Sequence, residues 1–214
     1  MTSKTDSKEK RWVKYYDAVT NHPARPTLLK ALEWYESDPS ASPGQAIDLG
    51  CGSGRDTYEL LRRGWQVLAI DQEAEGIHRT KQNLPPEFAS QLSTQIVRFE
   101  HVVLPPTQLI NGSYSLPFCP PQHFDAFWQK IVDSLMPGDL FAGHLFGDRD
   151  GWVGNRELTF HTQAEVEQRL KEFEIIEFDE RDEDGSTATG TAKHWHVFSI
   201  VAKKLSGLRN KPNE

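Results

Sequence analysis

The apolar positions of this chain change their period repeatedly, and each change marks an element. Trp12, Tyr15, Tyr16 and Val19 recur at helical spacing and predict a helix over Lys8 to Val19. A second helix fits Pro26 to Tyr35, with a proline near its start and Asp38-Pro39 beyond its end. After a Ser/Pro/Gly linker, a short apolar run, Ala46 to Leu49, predicts a strand. Helix Arg55 to Arg63 closes at Gly64, and strand Gln66 to Ile70 ends in Asp71. A helix fits Glu73 to Asn83. Strands fit Gln95 to Val102 and Leu109 to Leu116, and a helix fits Gln122 to Leu135. A strand follows over Leu140 to Phe146. Thr162 and Glu165 form a capping-box pattern opening a helix to Phe173. Strands fit Glu174 to Phe178 and Trp195 to Lys203, with Asp179 to Lys193 between them as a loop or ragged hairpin. Residues 1–8 and the tail beyond Lys204 are expected to be disordered.

This alternation predicts an α/β fold with a mostly parallel sheet, because parallel neighbours need crossover connections. The last two strands have no helix between them and should pair antiparallel.

Charge narrows the function. The 214 residues carry a formal net charge of −7, which offers no basic excess for a nucleic-acid backbone. No apolar run approaches the roughly 18 residues of a membrane span, and the polar N-terminus lacks the core of a signal peptide. Two cysteines, Cys51 and Cys119, require no disulfide. The expected setting is cytoplasmic, with no membrane and no nucleic-acid partner.

The chemistry concentrates in Gln45-Ala46-Ile47-Asp48-Leu49-Gly50-Cys51-Gly52-Ser53-Gly54-Arg55-Asp56, where glycines alternate between a strand and a helix. Such a turn lets backbone approach a ligand and presents the unpaired N–H groups of a helix N-terminus. A P-loop would need a lysine after the glycines, and none is there. A dinucleotide fingerprint would need glycine where Arg55 stands. The remaining pattern, Asp48-x-Gly50-x-Gly52-x-Gly54, resembles motif I of the class I S-adenosylmethionine-dependent methyltransferases. The resemblance runs from about Trp12 to Lys203, carried by AIDLGCGSGRDTYELLRRGWQVLAIDQ (46–72), LINGSYSLPFCPP (109–121) and the run from Phe124 to Gly147. Within the family, the tellurite-resistance-type and related small-molecule enzymes are the most similar.

The resemblance implies a Rossmann-like, doubly wound, seven-stranded sheet whose last strand is antiparallel. It implies S-adenosylmethionine as cofactor, S-adenosylhomocysteine as product, and a small-molecule methyl acceptor such as a thiol, a chalcogen oxyanion or a carboxylate. Asp48 is expected to bond to the cofactor's amino acid part over Gly50, Cys51, Gly52 and Gly54, and Arg55 to reach its carboxylate. Asp71 should take both ribose hydroxyls, with Gln72 beside it. Glu100, placed in the third strand, should meet the adenine. Asn111 and Ser113 should touch the methionine part or the acceptor. On the acceptor side the candidates are Ser113, Tyr114, His144 and Trp152, with Phe146 and Gly147 in the pocket and Arg149 as the only nearby cation.

Each candidate also has a plainer reading. His144 in an apolar strand is more often a satisfied core residue. Cys51 lines a loop without acting as a nucleophile. Trp12, Tyr15 and Tyr16 can be packing residues, although aromatic faces also suit a sulfonium. The histidines show no metal-ligand spacing. The expected organisation is a cap or lid over residues 1–44, a cofactor-binding domain over 45–204 and a tail over 205–214. Two other functions fit the same loop: a cofactor-binding regulatory module without activity, and a nicotinamide-dependent dehydrogenase.

Overall fold

In the computed structural model, which describes residues 4–19 and 22–206, helices α1 (Lys4–Val19) and α2 (Pro26–Glu36) precede strand β1 (Gln45–Leu49). Helix α3 (Arg55–Arg62), β2 (Gln66–Asp71), α4 (Ala74–Asn83) and β3 (Leu92–Ile96) follow. Then come β4 (Thr107–Gly112), α5 (Pro121–Ser134), β5 (Leu135–Gly147), β6 (Phe160–His161) and α6 (Gln163–Arg169). Strands β7 (Phe173–Ser186) and β8 (Ala192–Lys204) complete the chain. The sheet order is β3-β2-β1-β4-β5-β8-β7. Strands β1 to β5 run parallel, and β8 inserts antiparallel between β5 and β7.

Alternate residues of the central strands feed two cores. Ile47, Leu49, Ile110, Phe141 and Leu145 pack on Phe124, Phe127, Trp128 and Ile131 of α5. Ala46, Val67, Leu109, Leu140 and Ala142 pack on α2 and α3 through Leu28, Ala31, Leu32, Leu60 and Leu61. Helices thus cover both faces of the sheet, as parallel strands require. The carboxyl ends of β1, β2, β4 and β5 consequently open on one edge, where ligands of doubly wound sheets gather.

Several expectations need correction. The main path of the sheet has the seven expected strands, and the two-residue β6 adds an eighth beside the end of β5. The third strand lies earlier, at Leu92–Ile96, and Glu100 sits on a 3-10 turn after it. Edge strand β3 is half exposed and polar, whereas the apolar Val97, Phe99 and Val102 come from the irregular segment that packs onto the core. Their apolar character mimics a strand. The fourth strand stops at Gly112, because Tyr114 adopts a left-handed φ of 56° and the chain then enters a 3-10 turn over Leu116–Phe118. Residues Asp179 to Lys193 form a continuous hairpin, with Asp182 opposite His196 and Asp184 opposite His194. Acidic residues are poor strand formers alone, but here cross-strand histidines pair with them. Helix α1 begins at Lys4, within the stretch expected to be disordered. Its lysines and glutamate favour helix once the Trp12 to Val19 turns are packed. The expected disorder of residues 1–3 and 207–214 lies outside the described residues. Among the described residues no helix is long and apolar enough to cross a membrane.

Candidate active site

The glycine loop leaves β1 and turns into α3 with Gly50, Gly52 and Gly54 at φ values of 71°, 55° and 88°. All three are left-handed, a conformation that glycine adopts without steric cost. Directly behind the loop lies a buried acid pair. Asp48 accepts from the Thr57 hydroxyl at 2.6 Å and from Asn111 Nδ2 at 2.8 Å. The same Asn111 nitrogen reaches Asp56 Oδ2 at 3.1 Å, and the other Asp56 oxygen accepts from the Arg25 backbone at 2.9 Å. Ser113 donates to Asn111 Oδ1 at 3.2 Å. Burial and the neighbouring Asp56 push the Asp48 carboxyl up, since two close carboxylates resist ionising together.

Two arginines line the cavity with the acids. Arg55 Nε donates to the Pro23 carbonyl at 3.0 Å, and its Nη2 donates to the same oxygen. Arg25 lines the same cavity, together with Tyr15, Asp48, Gly50, Gly52, Asp56 and Ser113. The acids, with the Arg55 guanidinium beside them at 3.9 Å from Asp56, suit a zwitterionic amino acid group. The donor and acceptor set therefore fits the methionine part of S-adenosylmethionine.

Asp71 closes the other end. Gly52 N–H donates to its Oδ2 at 2.9 Å and Glu73 N–H to its Oδ1 at 2.8 Å. Burial holds this carboxyl up at about 6 despite the backbone donors. The space in front of Asp71 is filled by Tyr16 of α1. A Cβ on Gly52 would meet the Tyr16 ring at 3.3 Å, and one on Gly76 would meet its hydroxyl at 2.9 Å and Asp71 Cγ at 3.3 Å. Burial, Asp71 and Glu73 raise the Tyr16 phenol. The cavity that remains beside the loop holds about 40 Å³, room for a few waters and far less than a nucleoside needs. Gln72 follows Asp71 with its side chain half-buried.

Beyond Ser113 the ends of β4 and β5 carry an aromatic cluster. Tyr114 stacks on His144 at 4.0 Å and meets Trp195 edge-on at 6.0 Å. Trp152 contacts Phe118, Phe146 and Trp195, and Trp12 of α1 covers Phe118 at 5.1 Å. Inside this cluster the Lys193 ammonium lies 3.4 Å from the Trp195 ring centre and 4.0 Å from that of Trp152. It pairs with buried Asp150 at 2.7 Å. His144 donates to or accepts from Thr27 Oγ1 at 3.0 Å through Nε2, while its Nδ1 is buried without a partner. Burial and Arg25 lower its pKa to about 3, so the ring is neutral.

The structure thus brings Asp48, Gly50, Cys51, Gly52, Gly54, Arg55, Asp71, Asn111 and Ser113 together around one loop, and Tyr114, His144 and Trp152 beside it. Glu100 pairs with Arg98 at 2.6 Å. Cys51 is a buried free thiol 3.7 Å from Thr80 Oγ1, pushed up by burial and Asp71, which leaves no thiolate for nucleophilic work. Arg149 is not the acceptor-side cation: Glu180 and Asp182 each hold its guanidinium at 2.7 Å. Glu180, Asp182 and His196 do place ligand atoms within 4.8 Å of one another, a grouping that the histidine spacing does not reveal. Arg149 Nη2, 3.1 Å from His196 Nε2, matches its charge. Sequence reading missed Arg25 and Lys193. A lone arginine before a proline has no periodic signal, and Lys193 lies in the segment read as loop.

Residues 46–138 match the model of a family described as a methyltransferase domain. Over 109 residues the chain is 30% identical to carboxy-S-adenosyl-L-methionine synthase of Shewanella piezotolerans, a match taking in 48% of this chain and 44% of that enzyme. The chain spans less than half the length of the curated relatives it matches. Among solved structures, TehB from Haemophilus influenzae superposes with a TM-score of 0.68 at 17% identity, over 92% of this chain and 67% of that one. The N-methyltransferase NodS from Bradyrhizobium japonicum, in complex with S-adenosyl-L-homocysteine, also reaches 0.68 at 13% identity, over 92% and 98%.

Proposed function

We propose that this chain, which carries a class I S-adenosylmethionine-dependent methyltransferase domain, moves a methyl group from S-adenosylmethionine to a small-molecule acceptor. The observation that carries the reading is the cavity at the glycine loop, with Asp48, Asp56 and Arg55 in its lining. That arrangement matches the ammonium and carboxylate of the cofactor's amino acid end, and Asp71 faces the place where a ribose diol would lie. When bound, S-adenosylmethionine supplies an activated methyl group on a sulfonium centre.

The chain's own part is positional. Asp48 and Asn111 orient the amino acid end, and Asp71 fixes the sugar. The Tyr114, Phe146, Trp152 and Trp195 cluster aligns the acceptor and excludes water. Orientation of this kind supplies much of the acceleration in a displacement that forms no covalent intermediate. His144 is neutral at physiological pH and is no strong base, so the acceptor is one that needs little deprotonation: a thiolate, a carboxylate or a chalcogen oxyanion. The acidic net charge supports a small acceptor over a nucleic-acid strand.

Titration calorimetry with S-adenosylhomocysteine and with NAD tests the assignment. The homocysteine nucleoside should bind far more tightly, because Arg55 stands where a dinucleotide fingerprint needs glycine. NAD binding at equal strength would transfer the site to dehydrogenase chemistry. One observation favours a second reading, a cofactor-responsive module without turnover: Tyr16 of α1 fills the sugar position and would move on binding. Cofactor binding with no methyl transfer across a broad acceptor panel would support that reading.

A further inference from the structure

Five cations stand around the cleft, and four are already engaged. Glu180 and Asp182 hold Arg149, Asp150 holds Lys193, Glu183 lies 3.8 Å from Arg181, and Pro23 with Asp56 at 3.9 Å anchors Arg55. Arg25 differs. Its backbone N–H donates to Asp56, but among the described residues no carboxylate lies within ion-pairing distance of its guanidinium. That group makes one long contact, 3.5 Å to the Tyr15 hydroxyl, and otherwise stands 4.6 Å over the Tyr114 ring.

The platform beneath it is built at a cost to the backbone. Among the described residues Tyr114 is the one non-glycine with positive φ, a conformation unfavourable for a bulky side chain and concentrated at functional sites. The strain directs the ring onto His144. His144 Nδ1, in the ring stacked on Tyr114, is buried without a partner. Buried polar groups are normally satisfied, so this orphan beside an unmatched guanidinium points to a polar ligand.

Resting on the methyl-transfer reading above, we infer that the acceptor is an anion, a carboxylate or comparable oxyanion, whose charged group is held by the Arg25 guanidinium on the Tyr114 and His144 stack. Arginine suits this role because its planar fork grips a carboxylate through two parallel bonds while its face lies on an aromatic ring. The cofactor's own carboxylate is left to Arg55, which opens α3 beside the glycine loop. Arg25 instead stands over the Tyr114 ring, just beyond the end of β4, where an acceptor approaches.

The test uses benzoate and its uncharged analogue benzamide, titrated into the full-length protein saturated with S-adenosylhomocysteine. Wild type should bind benzoate at least about ten-fold more tightly than benzamide, the advantage of a charge-assisted pair. Arg25→Gln should abolish that preference while its affinity for S-adenosylhomocysteine stays within about two-fold of wild type. Arg25→Lys should keep part of the preference, and Tyr114→Leu, which removes the platform and leaves the charge, should reduce it. These two variants carry the test if Arg25→Gln does not fold. Equal binding of the two probes by wild type, or binding of neither, overturns the inference. So does a ten-fold loss of S-adenosylhomocysteine affinity in Arg25→Gln, which would assign Arg25 to the cofactor's carboxylate. Failure of wild type to bind S-adenosylhomocysteine at all would instead overturn the underlying methyltransferase reading.

Discussion

Asp71 has two duties that pull its ionisation in opposite directions. As a buried group it resists charge, and its carboxyl is held up at about 6. As the acceptor for Gly52 N–H and Glu73 N–H and, in the reading proposed above, for a ribose diol, it must be ionised. Affinity for S-adenosylhomocysteine should therefore be full above pH 6 and fall as pH drops through it, by about ten-fold per unit below that point. Asp71→Asn should bind more weakly at pH 8 and show a flatter profile. Slope surviving in the variant belongs to Asp48, whose carboxyl is also raised. Calorimetry between pH 5 and 8 measures both proteins, and identical profiles would remove Asp71 from the sugar site. Residues of this kind were legible in the sequence, since an acid at a strand end before a loop has few other uses. Arg25 was not legible. Its significance depends on Tyr114, 89 positions later by subtraction of their numbers, and on the absence of an acid that only the folded chain reveals.

Among the elements, α1 departs furthest from a passive role. It lies across the glycine loop, with Tyr16 only 2% exposed, stacked on Trp12 at 6.3 Å and with Arg79 5.7 Å from its ring centre. Nothing the size of a nucleoside enters while it stays there. Tyr16→Ala should accelerate association of S-adenosylhomocysteine, and stopped-flow tryptophan fluorescence can read the rate. An unchanged rate constant would mean that α1 does not limit entry. The helix itself is legible from its aromatic spacing, and so are the two cores, because buried faces impose periods of 3.6 and 2. Strand β3 and the outer half of the β7–β8 hairpin are not. One is polar because it is an edge, and the other is acidic because its stability comes from cross-strand histidines and Arg149, partners that no local pattern displays.

At the scale of the whole molecule, the hairpin matters because it reaches back over the active-site edge. Lys193, near the start of β8, crosses to Asp150 in the loop after β5, and both side chains are almost fully buried, 2% and 0% exposed. The pair ties the last element of the fold to the acceptor pocket. Removing one partner leaves a buried charge unmatched, so Lys193→Met should cost about 3–5 kcal/mol in denaturant unfolding. The double variant Lys193→Met, Asp150→Leu should recover much of that loss, because no orphan charge remains. A double variant as unstable as the single one would show that the bond matters through its geometry, not through charge burial. The order of the sheet and the antiparallel close were legible from the alternation of elements. This long-range tie was not, since nothing in the sequence near residue 193 refers to residue 150.

The position of Tyr16 has a consequence for affinity. A side chain carried on a helix of the same chain behaves as a tethered rival for the sugar seat, present at a fixed local concentration however dilute the protein is. The measured dissociation constant of any adenosyl ligand is then its intrinsic value divided by the fraction of molecules in which the seat is vacant. In the methyl-transfer reading proposed above, donor and spent nucleoside lose the same factor, so the rival loosens the hold on both and leaves the ratio of their affinities unchanged.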